Sequence, residues 1–221
     1  AIYLTGFVYI DELPLNILYY TMTIGTSWMV FILYMTMFLV SYAVLKFLGR
    51  WIKAIERINL PRLRNQRIYF SLAIIIVCIT MAYGSYRFWH PTVTEMDLKV
   101  EKESPVKNLK IVVVADVHVG YMVNRHVLKM YVDRIMEQKP GMILLVGDII
   151  DYNLNPVEEE KMEEEFQRLK APYGVYASTG NHEYRLNAEE KIRWLSEKAG
   201  LTVLRDSVVK VNDAFYIVGR E

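Results

Sequence analysis

Between Glu12 and Lys46 the chain runs for 33 residues without a charged side chain, and this stretch restricts the fold more than any other feature. About 20 apolar residues suffice for a helix to cross a bilayer, so the run predicts a transmembrane helix at about 22–45, approached through the interface from Leu13. A second uncharged run, of 19 residues, lies between Arg67 and Arg87, with LAIIIV at its centre. At about 1.5 Å of rise per residue it matches the thickness of the hydrocarbon core, and it predicts a second span at about 68–86. Tyr83, Tyr86, Phe88 and Trp89 at its far end form an aromatic belt suited to headgroup level. Length argues against two core helices of a soluble protein. A cleaved signal peptide does not fit either, because no small-residue cleavage site follows a short apolar region.

Charge is divided to match. Residues 1–90 hold 8 basic and 3 acidic side chains, whereas residues 91–221 hold 18 basic and 22 acidic ones. A uniform soluble domain would not be split in this way. The apolar content excludes intrinsic disorder, the lone Cys78 excludes a disulfide scaffold, and a net charge of +1 argues against nucleic-acid binding. Between the two spans, Lys46, Arg50, Lys53, Arg57, Arg62, Arg64 and Arg67 face a single acid, Glu56. The positive-inside rule makes this loop cytoplasmic and puts both Asp11-Glu12 and everything after Arg87 outside, in a multi-pass protein of the cell membrane. The same bases suit contact with anionic membrane lipid. A first residue that is Ala, with residues 1–10 uncharged, reads as a piece of a longer chain whose number of spans is open.

Three regions are expected: a membrane region at 1–90, a linker with a first strand at 91–107, and a mixed α/β domain at 108–221. Weak alternation at 94–102 suggests the first strand. Residues 109–115 (LKIVVVA) and 142–146 (MILLV) read as buried strands by their β-branched density. Between them, residues 124–138 place Val127, Leu128, Tyr131 and Ile135 on one helical face, giving a βαβ unit with a parallel pair. Asn155-Pro156 opens a helix expected to reach Leu169, whose six acids read as a solvated face. Residues 175–178 are a third strand, Asn187 with Glu190 a capping box, and Asn212-Asp213 a tight turn between strands at 207–211 and 215–218.

The informative residues follow the three strands directly, in the segments VVVADVHVG, LLVGDIID and YASTGNHEY. Carboxyl ends of parallel strands line one edge of a sheet, so Asp116, His118, Asp148, Asp151, Asn181 and His182 should meet in one crevice. Carboxylates, imidazole and an amide oxygen suit divalent cations such as Mn²⁺, Fe²⁺ or Zn²⁺. Singly, each residue has a plain explanation as a turn or loop residue. In order, each behind a hydrophobic strand, they point to one metal site.

The series Asp-x-His, Gly-Asp-x-x-Asp, Gly-Asn-His-Glu resembles the calcineurin-like metallophosphoesterase superfamily over about 108–221. The two preceding spans resemble its membrane-associated branch found in bacteria. The resemblance implies a four-layer α/β/β/α sandwich with two divalent metal ions and a phosphate-ester substrate. Asp116 and His118 match ligands of the first metal, Asp148 the carboxylate bridging both, and Asn181 a ligand of the second. His182 matches the histidine that protonates the leaving oxygen, and Asp151 the acid that orients it. Such a site acidifies a water, clamps phosphoryl oxygens and supplies a general acid. The family pattern continues with further histidines, a Gly-His-x-His segment among them, whereas no histidine follows His182 here. The C-terminal part of the domain is therefore expected to lie beyond Glu221.

The expected function is a membrane-anchored, metal-dependent phosphoesterase with its catalytic domain outside the cytoplasm. Alternatives are hydrolysis of a lipid-linked pyrophosphate or phosphodiester in envelope biogenesis, and an inactive sensor or scaffold. His126 reads as a surface residue and His90 as interfacial. Glu183 is expected in a supporting rather than a ligating position, and Tyr184 and Arg185 are no more than candidates for contact with a substrate phosphate.

Overall fold

Both uncharged runs are helical in a computed structural model that describes residues 8–9, 12–52 and 63–220. Helix α1 (Leu15–Leu48) starts directly after Pro14, where a missing N–H costs nothing, and ends at Gly49, whose N–H bonds the Leu45 carbonyl. Helix α2 spans Leu63–Trp89. Each extends beyond the expected span at both ends, and each is long and apolar enough to cross a membrane. Tyr69 Oη donates to the Phe38 carbonyl at 2.9 Å, and Gln66 Nε2 donates to Tyr42 Oη at 2.9 Å. These bonds tie α1 to α2 through side chains that would otherwise face hydrocarbon unpaired. The centre of the basic loop, with Lys53, Glu56, Arg57 and Arg62, lies outside the described residues, as does Asp11.

The chain divides into two units, Ala1–Glu95 and Met96–Glu221. In the second, strands β1 (Ile111–Ala115), β2 (Met142–Val146), β3 (Val175–Ser178) and β4 (Thr202–Leu204) form one parallel sheet in chain order. Helix α3 (Arg125–Glu137) makes the crossover from β1 to β2, with Asn124 Oδ1 accepting from the Val127 N–H as its N-cap. Strands β5 (Ser207–Val211) and β6 (Phe215–Gly219) form an antiparallel hairpin. Three residues, Asn212 to Ala214, join the strands; Asn212 and Asp213 have left-handed φ of 46° and 55°, and the Ala214 N–H closes the turn on the Val211 carbonyl at 2.9 Å. Parallel sheet, flanking helices and a second, antiparallel sheet agree with an α/β sandwich of the expected class.

Two apolar clusters cover the sheet. On one side Leu128, Val132 and Ile135 of α3 pack with Phe166, Trp194 and Leu195 against Ile143 and Leu145. On the other, Val211, Val209, Phe215 and Ile217 of the hairpin pack with Met142, Leu144, Tyr176 and Leu204. The hairpin reaches β2 to β4 but not β1. Strand β1, expected to be buried, is therefore covered on one face only, and Val113 remains 60% exposed.

Four further expectations need correction. Residues 94–102 form no strand, since nothing among the described residues pairs with them and a lone strand leaves its backbone groups unbonded. The helix from Asn155 breaks into α4 (Asn155–Glu159) and α5 (Glu163–Phe166), with Lys161 left-handed at φ 51°. A continuous helix would stack Glu159 on Glu163 and Glu160 on Glu164, which like charges disfavour. The break instead buries Met162 and brings Glu160, Glu164 and Glu165 onto Arg125, so the acids are not simply a solvated face. Asn187 is left-handed, with no side-chain bond to helix α6 (Ala188–Arg193), so it is not a side-chain cap. Strand β4 was not expected at all, being only three residues long.

Phe166 is 1% exposed and meets the Trp194 ring edge-on, with centroids 6.0 Å apart. Phe166→Ala is expected to lower stability by about 3–5 kcal/mol, measurable by chemical denaturation. Asp133, bonded by Lys129 and Arg168, has its carboxyl held below the ordinary value, chiefly by the Lys129 bond and then by Arg168. Its stabilising contribution is present above the ordinary carboxylate pKa of about 4 and is lost as pH falls through the lowered folded value. Asp133→Asn should therefore narrow the stability difference between neutral and acid pH in thermal melts.

Candidate metal centre

The segments after β1 and β2 continue to pair beyond their strands. His118 N–H bonds the Asp148 carbonyl at 2.9 Å, Val119 N–H the Ile149 carbonyl at 2.8 Å, and Asp151 N–H the Val119 carbonyl at 3.0 Å. Val117, Val119, Ile149 and Ile150 point into the core, each at most 6% exposed. Asp116, His118, Asp148 and Asp151 are thereby left at the carboxyl edge of the sheet. Three of them have left-handed backbone, with φ of 55° at Asp116, 51° at His118 and 49° at Asp148. That conformation costs on the order of 1 kcal/mol each, against about 1.5–3 kcal/mol for each buried Val or Ile, so the anchors win.

Glycine permits the loop after β3 to join them. Gly147 has φ 67°, and a β-carbon there would sit 3.0 Å from Gly180 Cα. A β-carbon at Gly180 would collide with the Asp148 carboxylate and backbone nitrogen. This contact brings His182 beside Asp148, whose Oδ1 accepts from the His182 N–H at 2.8 Å.

Five of the six expected side chains converge. His182 Nδ1 lies 2.8 Å from Asp151 Oδ1 and 3.1 Å from the Asp151 carbonyl. Both partners are acceptors, which puts the proton on Nδ1 and leaves Nε2 for chemistry. His118 lies 3.5 Å from Asp151, 3.8 Å from Asp116 and 3.9 Å from Asp148, with its ring edge-on to that of His182 at 4.5 Å between centroids. His118, Asp148 and His182 offer ligand atoms all within 4.8 Å of one another, a donor set that fits a divalent cation. Asp116 borders this trio and is largely exposed. Asn181 is exposed on the turn between Gly180 and His182. Tyr184 Oη bonds Thr179 Oγ1 at 3.0 Å, and its ring lies beneath the Arg205 guanidinium.

Beneath the cluster Glu183 is fully buried. Its Oε1 accepts from the Ile149 and Ile150 N–H groups at 2.8 and 2.9 Å, and its Oε2 from those of Asp148 and Gly180 at 3.0 and 2.7 Å. One carboxylate thus binds the loops after β2 and β3 together, in the supporting position expected of it. Lys191 of α6 is also fully buried, and its Nζ donates to the His182 carbonyl at 2.8 Å. Burial pushes its ammonium pKa down, while Glu183 and Asp151 act in the opposite direction. Sequence reasoning did not single out Lys191, because a lysine in a helix with acids and bases on both sides carries no mark of burial.

One family model, calcineurin-like phosphoesterase, matches residues 109–219, the stretch that contains this sheet edge and its three loops. The chain belongs to the calcineurin-like phosphoesterase family. An uncharacterized metallophosphoesterase of Campylobacter jejuni is 28% identical over 62% of this chain and 36% of its own length. A transmembrane protein with metallophosphoesterase domain from Danio rerio is 30% identical over 63% of this chain and 32% of its own. An uncharacterized metallophosphoesterase of Aquifex aeolicus is 28% identical over 65% and 54%. The chain thus spans about a third to a half of the length of these relatives. No solved structure matches. Two helices able to cross a bilayer, together with transmembrane relatives, fit association with a membrane.

Gly180→Ala tests the packing of the two loops on each other. It should displace Asp148 and weaken Mn²⁺ binding by about 10- to 100-fold in calorimetric titration, as loss of outer supports of a metal site typically does.

Proposed function

We propose that this chain carries the centre of a membrane-anchored phosphoesterase, with the domain that follows α2 outside the cytoplasm. The observation that carries the chemistry is the His182–Asp151 pair standing 2.8 Å apart beside a donor set suited to a divalent cation. Asp116, His118, Asp148 and Asn181 would hold the two divalent cations. When bound, such cations supply Lewis acidity toward the phosphoryl oxygens and lower the pKa of water. His182 donates a proton from Nε2 to the departing oxygen of the ester. Asp151 keeps the proton on Nδ1 and stabilises the imidazolium, a contribution of about 10²–10⁴-fold for a well-placed acid. The seven bases and one acid of residues 46–67 support a cytoplasmic loop between the helices, hence the outward domain. The helices support a substrate presented at the bilayer, such as a lipid-linked phosphate ester.

The test uses the full-length protein with Mn²⁺ and an alkyl phosphate ester, whose alkoxide leaving group needs a proton, with the released alcohol as readout. His182→Ala and Asp148→Asn should each lower kcat by at least about 100-fold, and chelation should abolish turnover. Unchanged activity in either variant would remove its assigned role. Vesicle-embedded against soluble esters decides the substrate, and labelling of single engineered cysteines from either side decides the orientation.

A second reading has His182 as a metal ligand, favoured by the proximity of its ring to His118 and Asp148. Metal content separates the two. His182→Ala retains its metal if the residue is the acid and loses it if the residue is a ligand.

A further inference from the structure

His182 is held at three points. Its N–H is bound by Asp148 Oδ1, its ring Nδ1 by Asp151, and its carbonyl by Lys191 Nζ at 2.8 Å. The first two holders belong to the site itself. The third comes from α6, nine residues farther along the chain, and Lys191 is completely buried there. A lysine is rarely enclosed in this way unless its charge is matched. The charges facing it are Glu183 and Asp151, with Arg185 the opposing cation. Glu183 in turn has all of its described hydrogen bonds directed to backbone N–H groups of the loops after β2 and β3. Four N–H donors stabilise a carboxylate but do not neutralise it, and Lys191, whose charged form Glu183 favours, is a buried cation of opposite sign.

We propose that Lys191 is a positioning residue for His182: its buried ammonium fixes the His182 carbonyl and balances Glu183, locking the loop after β3 onto the loop that carries Asp148. The proposal rests on the reading of His182 as proton donor. Lys191 bonds the backbone carbonyl of His182 and not its imidazole. Its influence runs through the backbone of His182, so the imidazole keeps its place relative to Asp148 only while the ammonium is present. A displacement of about 1 Å at such a group costs about 100-fold in rate.

Lys191→Met tests this, since methionine fills the space of the lysine stem and lacks only the charged donor. The full chain in detergent is assayed with Mn²⁺ on two esters, one with an acidic aryl leaving group that departs without protonation and one with an alkoxide leaving group that needs it. For the alkoxide ester kcat should fall by about 100-fold with KM unchanged, and for the aryl ester the loss should stay below about 5-fold. Amide hydrogen exchange at Asp148, Ile149, Ile150 and Gly180 should accelerate, because Glu183 has lost its countercharge. A purely structural role would depress both esters alike. Equal losses on the two esters, or wild-type rates with unchanged exchange, overturn the proposal.

Lys191→Arg is measured in parallel, because a neutral side chain at this position can prevent folding. It keeps the charge on a bulkier head, and the same dependence on leaving group is expected at smaller amplitude, about 10-fold on the alkoxide ester. Wild-type behaviour on both esters in this variant also overturns the proposal when Lys191→Met does not fold. His182→Ala is the control. If it shows no dependence on leaving group, the reading of His182 as the acid fails, and the exchange rates alone decide whether Lys191 locks the loops.

Discussion

A single buried carboxylate organises the centre. Glu183 accepts four backbone hydrogen bonds from two loops that are far apart in the chain, and those loops carry Asp148 and His182. Hydrogen bonds to a charged acceptor in a dry interior are among the strongest in proteins, each contributing about 1.5–3 kcal/mol. Removing such a partner would leave N–H groups of Ile149 and Ile150 buried without an acceptor. The left-handed backbone at Asp148 is tolerable because its amide is held in this way.

The remaining order follows from that point. Glycines at 147 and 180 let the two loops touch, and the apolar residues Val117, Val119, Ile149 and Ile150 set which side chains face out. Continued pairing between residues 118–119 and 148–151 carries the first loop into register with the second. The site is therefore a property of the edge where three parallel strands end. No loop builds it alone. Because the edge is assembled from rigid strands, small groups placed on it keep their distances.

Much of this was legible in the chain. Strands β1 to β3 stood out because short apolar runs end abruptly at Asp-x-His, Gly-Asp and Gly-Asn-His, and Asp116, His118, Asp148 and His182 of those motifs converge. The helices of the first unit were legible from the absence of charge alone. What escaped was local and non-periodic. The break at Lys161 arises from where Glu160, Glu164 and Glu165 find Arg125. The exposed face of β1 arises from how far the hairpin β5–β6 extends across the sheet. Neither has a signal in the spacing of residues, since both depend on partners 35 or more positions away or on another layer.

By itself the sequence determined that this chain has two apolar helices and an α/β domain whose strand ends carry carboxylates and imidazoles. Periodicity and charge are local properties, and hydrophobic burial acts on them whatever the final packing. Only the tertiary structure decided which of those groups meet, that His182 turns its Nδ1 toward Asp151, and that Lys191 and Glu183 lie beneath the site. Those outcomes depend on which donor finds which acceptor once water is excluded, and residues distant in sequence become partners only when the sheet brings them together.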